Sequence, residues 1–150
     1  MIKLMSLGAV VLCASLSLNA AESLLKYESQ YSVKETADRF ESIAKSKGLN
    51  VFARIDHQKN AQSVGLELRP TQVILFGNPK VGTPLMACAQ DVAIDLPQKV
   101  LISEDANQKV WLSYNNQQYL KERHNIQGCD AVIDKVSNVL KALSSAAVAK

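Results

Sequence analysis

The chain has 150 residues, 47% of them hydrophobic and 21% charged, with a formal net charge of +3. That apolar content argues against a disordered chain, and so mild a charge argues against the clustered basic face of a nucleic-acid binder. The length suits one domain with a real hydrophobic core.

The N-terminus has the three parts of a secretory signal. Lys3 supplies the positive region, Leu4 to Leu18 an apolar run, and Ala20 and Ala21 the small residues at a cut. Cleavage is expected after Ala20, with Ala21 the second choice. Leu18 or Asn19 then stands three residues before the cut, where a small residue is usual. An uncleaved anchor is the alternative, but a run of about 15 residues falls short of the ~20 that span a bilayer. A lipoprotein at Cys13 is disfavoured because bulky Leu12 precedes it. Removing residues 1–20 takes away Lys3 and leaves 16 basic against 14 acidic side chains, a net of +2. The expectation is therefore a periplasmic or secreted protein: a signal over 1–20, one domain over 21–150, and no stable membrane span after cleavage.

Leu24 to Tyr31 alternates and predicts a strand. Ser32 with Glu35 forms a capping box for a helix whose stripe is Val33, Ala37, Phe40, Ile43 and Ala44, with Gly48 past its end. Val51, Ala53 and Ile55 alternate in a second strand. Asp56 caps a short helix from His57 to Val64, stopped by Gly65. Arg69-Pro70 leads into a strand over Thr71–Phe76, and Gly77-Asn78-Pro79 is a turn. Thr83 followed by Pro84 reads as the start of a helix carrying Leu85, Cys88, Ala89 and Val92 and ending before Pro97. Lys99 to Glu104 and Lys109 to Tyr114 form a hairpin across Asp105-Ala106-Asn107-Gln108. A short helix spans Gln117 to Arg123. Asp130 caps a last helix with the stripe Val132, Ile133, Val136, Val139, Leu140 and Leu143, while the tail from Ser144 to Lys150 frays. The order β-α-β-α-β-α-β-β-α-α fits an α+β fold, with a five-stranded mixed or mostly antiparallel sheet and long helices on one face.

Once Cys13 leaves with the signal, Cys88 and Cys129 remain, and in an oxidising compartment the simplest expectation is that they pair. Two free thiols or a metal pair are the competing readings. No C-x-x-C or Cys/His zinc spacing occurs, so no metal or other cofactor is expected.

The most suggestive local stretch is Gly77-Asn78-Pro79-Lys80-Val81-Gly82-Thr83, between a strand and a helix start. Free N–H groups there suit an anion. The spacing mimics a phosphate-binding loop, but the lysine after the second glycine is missing and Pro79 removes a donor, so nucleotide hydrolysis is rejected. A demanding turn before a capped helix is the plainer alternative. His57 beside Asp56 is either a general base oriented by a carboxylate or a first-turn residue next to a cap. Arg123-His124 ends a helix, where cations meet the dipole, and could also bind an acidic ligand. Tyr114-Asn115 closes a strand, with Tyr119 beyond. Trp111 has the opposite parity to Val110, Leu112 and Tyr114, so either both sheet faces are covered or Trp111 lies on an exposed patch suited to dimerisation.

Several stretches together resemble the bacterial family known as domain of unknown function 302. They are Arg54-Ile55-Asp56-His57, Ala61, Gly65-Leu66-Glu67-Leu68-Arg69-Pro70-Thr71, Phe76-Gly77-Asn78-Pro79-Lys80 and Gly82-Thr83-Pro84-Leu85-Met86. Asp95-Leu96-Pro97, Glu104-Asp105, Tyr114-Asn115 and Arg123-His124 follow in order. The resemblance implies a curved antiparallel sheet with helices packed on it, similar to the TATA-binding-protein-like class, and homodimers. It implies no activity. It directs attention to His57, Asn78, Thr83, Tyr114, Arg123 and His124, to which the loop adds Lys80.

The leading expectation is an exported binding or accessory module. It would hold a small anionic or polar ligand, or a periplasmic protein, near the Gly77–Thr83 loop with His57 and Arg123-His124. The alternatives are an enzyme with His57 as general base and a structural homodimer without a small-molecule site.

Overall fold

The computed structural model describes residues 22–150, so the expected signal segment and its cut lie outside the described residues. Five strands form one sheet: β1 (Leu24–Ser29), β2 (Asn50–Asp56), β3 (Thr71–Gly77), β4 (Gln98–Glu104) and β5 (Val110–Asn115). Their order is β1-β5-β4-β3-β2 and every pairing is antiparallel. The helices are α1 (Val33–Ser46), α2 (His57–Ser63), α3 (Pro79–Cys88), α4 (Gln117–Arg123) and α5 (Asp130–Val148), with a 3-10 helix at Gln90–Asp95. The fold is the α+β arrangement that the element order implies.

Helix α1 carries the chain from β1 at one edge to β2 at the other. Ser32 Oγ accepts from the Glu35 amide at 3.2 Å, and Gly48 leaves the helix at φ 74°, a conformation that costs glycine little. Thr36, Ala37, Phe40 and Ala44 are buried against the sheet and α5. The Phe40 ring meets Phe76 edge-on, with centroids 4.9 Å apart. Ile74, Phe76, Val100, Ile102, Leu112 and Tyr114 complete the sheet side of this main core. A smaller cluster lies beyond it: Leu85, Val92, Ile126, Cys129 and Ile133.

Three expectations need correction. Helix α3 begins at Pro79 with Asn78 as its cap, so Thr83-Pro84 is not a helix start. Both pairs are a capping side chain followed by proline. The earlier one wins because Asn78 Oδ1 accepts from the Lys80 amide at 2.9 Å, and Pro84 then falls inside the helix. Helix α5 is not capped by Asp130, which is its first residue. Cys129 holds the cap position without a side-chain bond, and the Asp130 carboxylate pairs with Lys121. The tail does not fray at Ser144. Ser144, Ala147 and Val148 are buried, and Arg39 donates to the carbonyls of Ala146, Ala147 and Ala149 at 2.8–3.1 Å. The same guanidinium lies 4.2 Å over the Tyr31 ring.

Candidate functional site

The sheet register separates two features that the sequence reading placed in one site. Asp56 pairs with Gln72 at one end of β3, while Asn50 pairs with Gly77 at the other. At ~3.3 Å per residue, His57 and the Gly77–Thr83 stretch are about 20 Å apart. His57 is exposed. The Asp56 carboxylate is engaged elsewhere: one oxygen accepts from the Lys59 amide at 3.0 Å and the other from Gln72 Nε2 at 3.1 Å. It caps α2 and does not orient His57.

The backbone donors of Gly77–Thr83 are mostly consumed by α3. The Val81 and Gly82 amides both donate to the Asn78 carbonyl, at 2.9 and 3.0 Å, and the Lys80 amide goes to the Asn78 side chain. Lys80 and Thr83 are exposed. What the stretch forms instead is one wall of a groove of about 340 Å³ between α3, α5 and the Gly77 end of the sheet. Phe76, Leu85, Met86, Leu96, Val136 and Leu140 are among its apolar lining residues. Asn78, Thr83, Gln98 and Lys135 are its polar members. A register shift between Val51 and Ala53 leaves Phe52 out of the ladder, 54% exposed and lining the same groove. The Gln98 amide is fixed by a reciprocal pair of bonds to buried Gln117, at 3.2 and 3.1 Å.

Arg123 and His124 lie outside the groove, in a shallow depression with Gln90, Asp91, Ala93 and Ile94. His124 Nε2 is 2.6 Å from Asp95 Oδ2, and Arg123 Nε is 3.6 Å from the same oxygen. Both His124 and Asp95 are largely buried. Sequence reasoning did not join these residues, although the Asp95-Leu96-Pro97 and Arg123-His124 stretches both stood out. The contact ties the 3-10 helix to the end of α4. Ala93 and Leu96, on either side of Asp95, line the groove, so the contact positions that wall.

Tyr114 faces neither cavity. It is buried in the main core, with its hydroxyl 3.3 Å from that of Tyr27 and the rings stacked at 6.0 Å. Burial, and then the Tyr27 hydroxyl, hold its phenol well above the usual tyrosine range. Of the seven expected ligand-binding residues, Asn78 and Thr83 line the groove and Lys80 stands beside them. His57, Tyr114, Arg123 and His124 are elsewhere. The Cys88 and Cys129 sulfurs touch, with the Cα atoms 6.4 Å apart, a spacing a disulfide spans. Among the described residues, no three His, Cys, Asp or Glu side chains gather in a way that could hold a metal ion.

Trp111 lies half-buried on the sheet face opposite α1 and α5, its indole N–H donating to Asp105 at 2.9 Å. Ala53, Ile55, Val73, Leu75 and Leu101 share that face and none of them is fully buried.

Comparison with known proteins gives the domain its relatives. Two are fluoride-specific ion channels, FluC 1 of Brucella suis and FluC 2 of Brucella melitensis, each 46% identical over 103 residues. That match covers 69% of this chain but only 41% and 38% of theirs, so the chain spans about two-fifths of the length of these curated relatives. The crystal structure of an uncharacterized conserved DUF302 protein from Bacillus stearothermophilus has the same fold. Its TM-score is 0.77 at 18% identity, covering 85% of this chain and 99% of that one. The sequence profile described as domain of unknown function DUF302 matches residues 25–143, nearly every element from β1 to α5. The chain belongs to that family.

Proposed function

We propose that this domain is an exported accessory module that holds a small, mainly apolar ligand between α3 and α5. The groove carries the reading: about 340 Å³, walled by Phe76, Leu85, Met86, Leu96, Val136 and Leu140, with few polar groups to orient a guest. It replaces the expected small anion at the loop, whose N–H groups serve α3. The export half rests on Lys3, the run Leu4–Leu18 and Ala20-Ala21. The contact of Cys88 with Cys129 supports a disulfide, which suits an oxidising compartment. The channel activity in the relatives' name is not carried to this chain. Among the described residues no helix is long and apolar enough to cross a membrane, and the match leaves most of those relatives uncovered.

A plug tests the groove. Gly82 lines it, and a Cβ built there would meet Leu96 Cδ1 at 3.9 Å, an ordinary contact. Gly82→Phe should fill the groove without unfolding α3. The native protein should bind a neutral solvatochromic dye and the variant should not, at equal melting temperature. Equal dye binding by both proteins would defeat the proposal.

A second reading, a homodimer, draws on the sheet face of Ile55, Val73, Leu75, Leu101 and Trp111. Sedimentation velocity of Leu101→Asp checks it. An unchanged sedimentation coefficient would count against that face.

A further inference from the structure

We infer that the groove's ligand is a single-chain amphiphile: an alkyl chain lying between α3 and α5 and an anionic head at Lys135. This rests on the groove reading above and deepens it. Lys135 is the one charged side chain among the groove's described lining residues, and no carboxylate faces it there. It is exposed and lines the groove on α5 together with Val136, Val139 and Leu140, which puts a solvated cation next to an apolar turn.

Chemistry elsewhere in the groove narrows the guest. Gln98 exchanges both ends of its amide with Gln117, and Asn78 Oδ1 accepts from the Lys80 amide, so much of the wall's polar capacity is already spent inside the protein. A polar molecule entering such walls would lose its water for few replacement bonds. An alkyl chain has no such need, and each methylene removed from water should tighten binding about fourfold. The volume is more than twice the ~150 Å³ of an engineered apolar cavity that holds benzene, so a chain longer than one ring fits. One open end allows a charged head to remain solvated beside Lys135, as long amphipathic groups do.

The experiment is a calorimetric series on the purified protein with alkanoates from six to ten carbons and alkyltrimethylammonium ions of matching length, all below their micelle concentrations. Affinity should rise about fourfold per carbon in both series. The carboxylates should bind several-fold tighter than the ammonium ions, with the gap shrinking as salt is added. Lys135→Glu, at an exposed position of α5, should reverse the head-group order and leave the chain-length slope in place. Equal affinity for both heads, or no effect of Lys135→Glu, would overturn the anionic assignment while leaving an apolar groove. Absence of binding by any chain, in native protein and Gly82→Phe alike, would remove the groove reading as well.

Discussion

The main core and the cluster beside α3 are stabilised in different ways. Under the sheet, Phe40, Ile74, Phe76, Val100, Ile102, Leu112 and Leu140 are almost wholly buried, and α1 and α5 close over five strands. Around α3 the buried residues are Leu85, Val92, Ile126, Cys129 and Ile133, drawn from α3, the 3-10 helix, the loop after α4 and the first turn of α5. So small a cluster gains little from burial, and a cross-link would add more there than in the main core. The Cys88 and Cys129 sulfurs touch there, and Asp95 meets His124 and Arg123. The groove lies on the seam, with Phe76, Val136 and Leu140 from the first region and Leu85 from the second. A ligand between them would therefore bridge a firm wall and a more easily opened one.

Truncation in each region is the strongest way to break that contrast. Phe40→Ala should cost about 3–5 kcal/mol and Leu85→Ala about 2–5 kcal/mol in urea unfolding. The first should unfold the domain as a unit. The second should first speed amide exchange in α3 and the 3-10 helix. Uniform exchange in Leu85→Ala would mean that the two regions form one cooperative unit.

Next in size is the cross-link. Cys88 and Cys129 are 41 residues apart, so a disulfide there would contribute about 4 kcal/mol in the chain-entropy model. Cys88→Ser should lower stability by up to that amount in oxidised protein and by much less under reductant. Two alkylatable thiols in protein recovered from an oxidising compartment would refute the disulfide.

The smallest effect belongs to the main core and to alkaline pH. Tyr114 has a raised pKa in the fold, caused by burial and then by Tyr27. The unfolded phenol ionises near pH ~10. Its contribution is thus complete below pH ~10 and is lost as pH rises above that, where only the unfolded chain can ionise it. Tyr114→Phe should cost about 1 kcal/mol at neutral pH and flatten the loss above pH ~10. An alkaline profile identical to that of native protein would assign the loss to other groups.

Local chemistry was readable wherever one residue decides an element. Ser32 and Asp56 accept the bonds expected of caps, the Asp105–Gln108 hairpin forms, and α4 has the bounds its sequence suggested. Reading failed at α3 because Asn78-Pro79 and Thr83-Pro84 offer the same signal five residues apart. It failed at the tail because Arg39, over a hundred residues earlier in the chain, supplies the missing partners for the last carbonyls. The site was less legible. An apolar stripe at helical spacing looks alike whether protein covers it or not, so Val136, Val139 and Leu140 stood out only as one helix face. The Asp95–His124 contact joins residues 29 apart on separate elements, which no local pattern encodes.

The register shift at Phe52 has a consequence for life in a crowded compartment. Strand β2 is an outer strand of the sheet, and a regular outer strand is a template for another chain's backbone. The shift interrupts the even row of donors and acceptors that such a template requires. Deleting Phe52 would straighten the row and remove an aromatic ring from the groove in one step. The same irregularity that helps shape a binding surface would thus guard the domain against stacking into fibres, so its loss should appear as aggregation on storage as well as weaker binding.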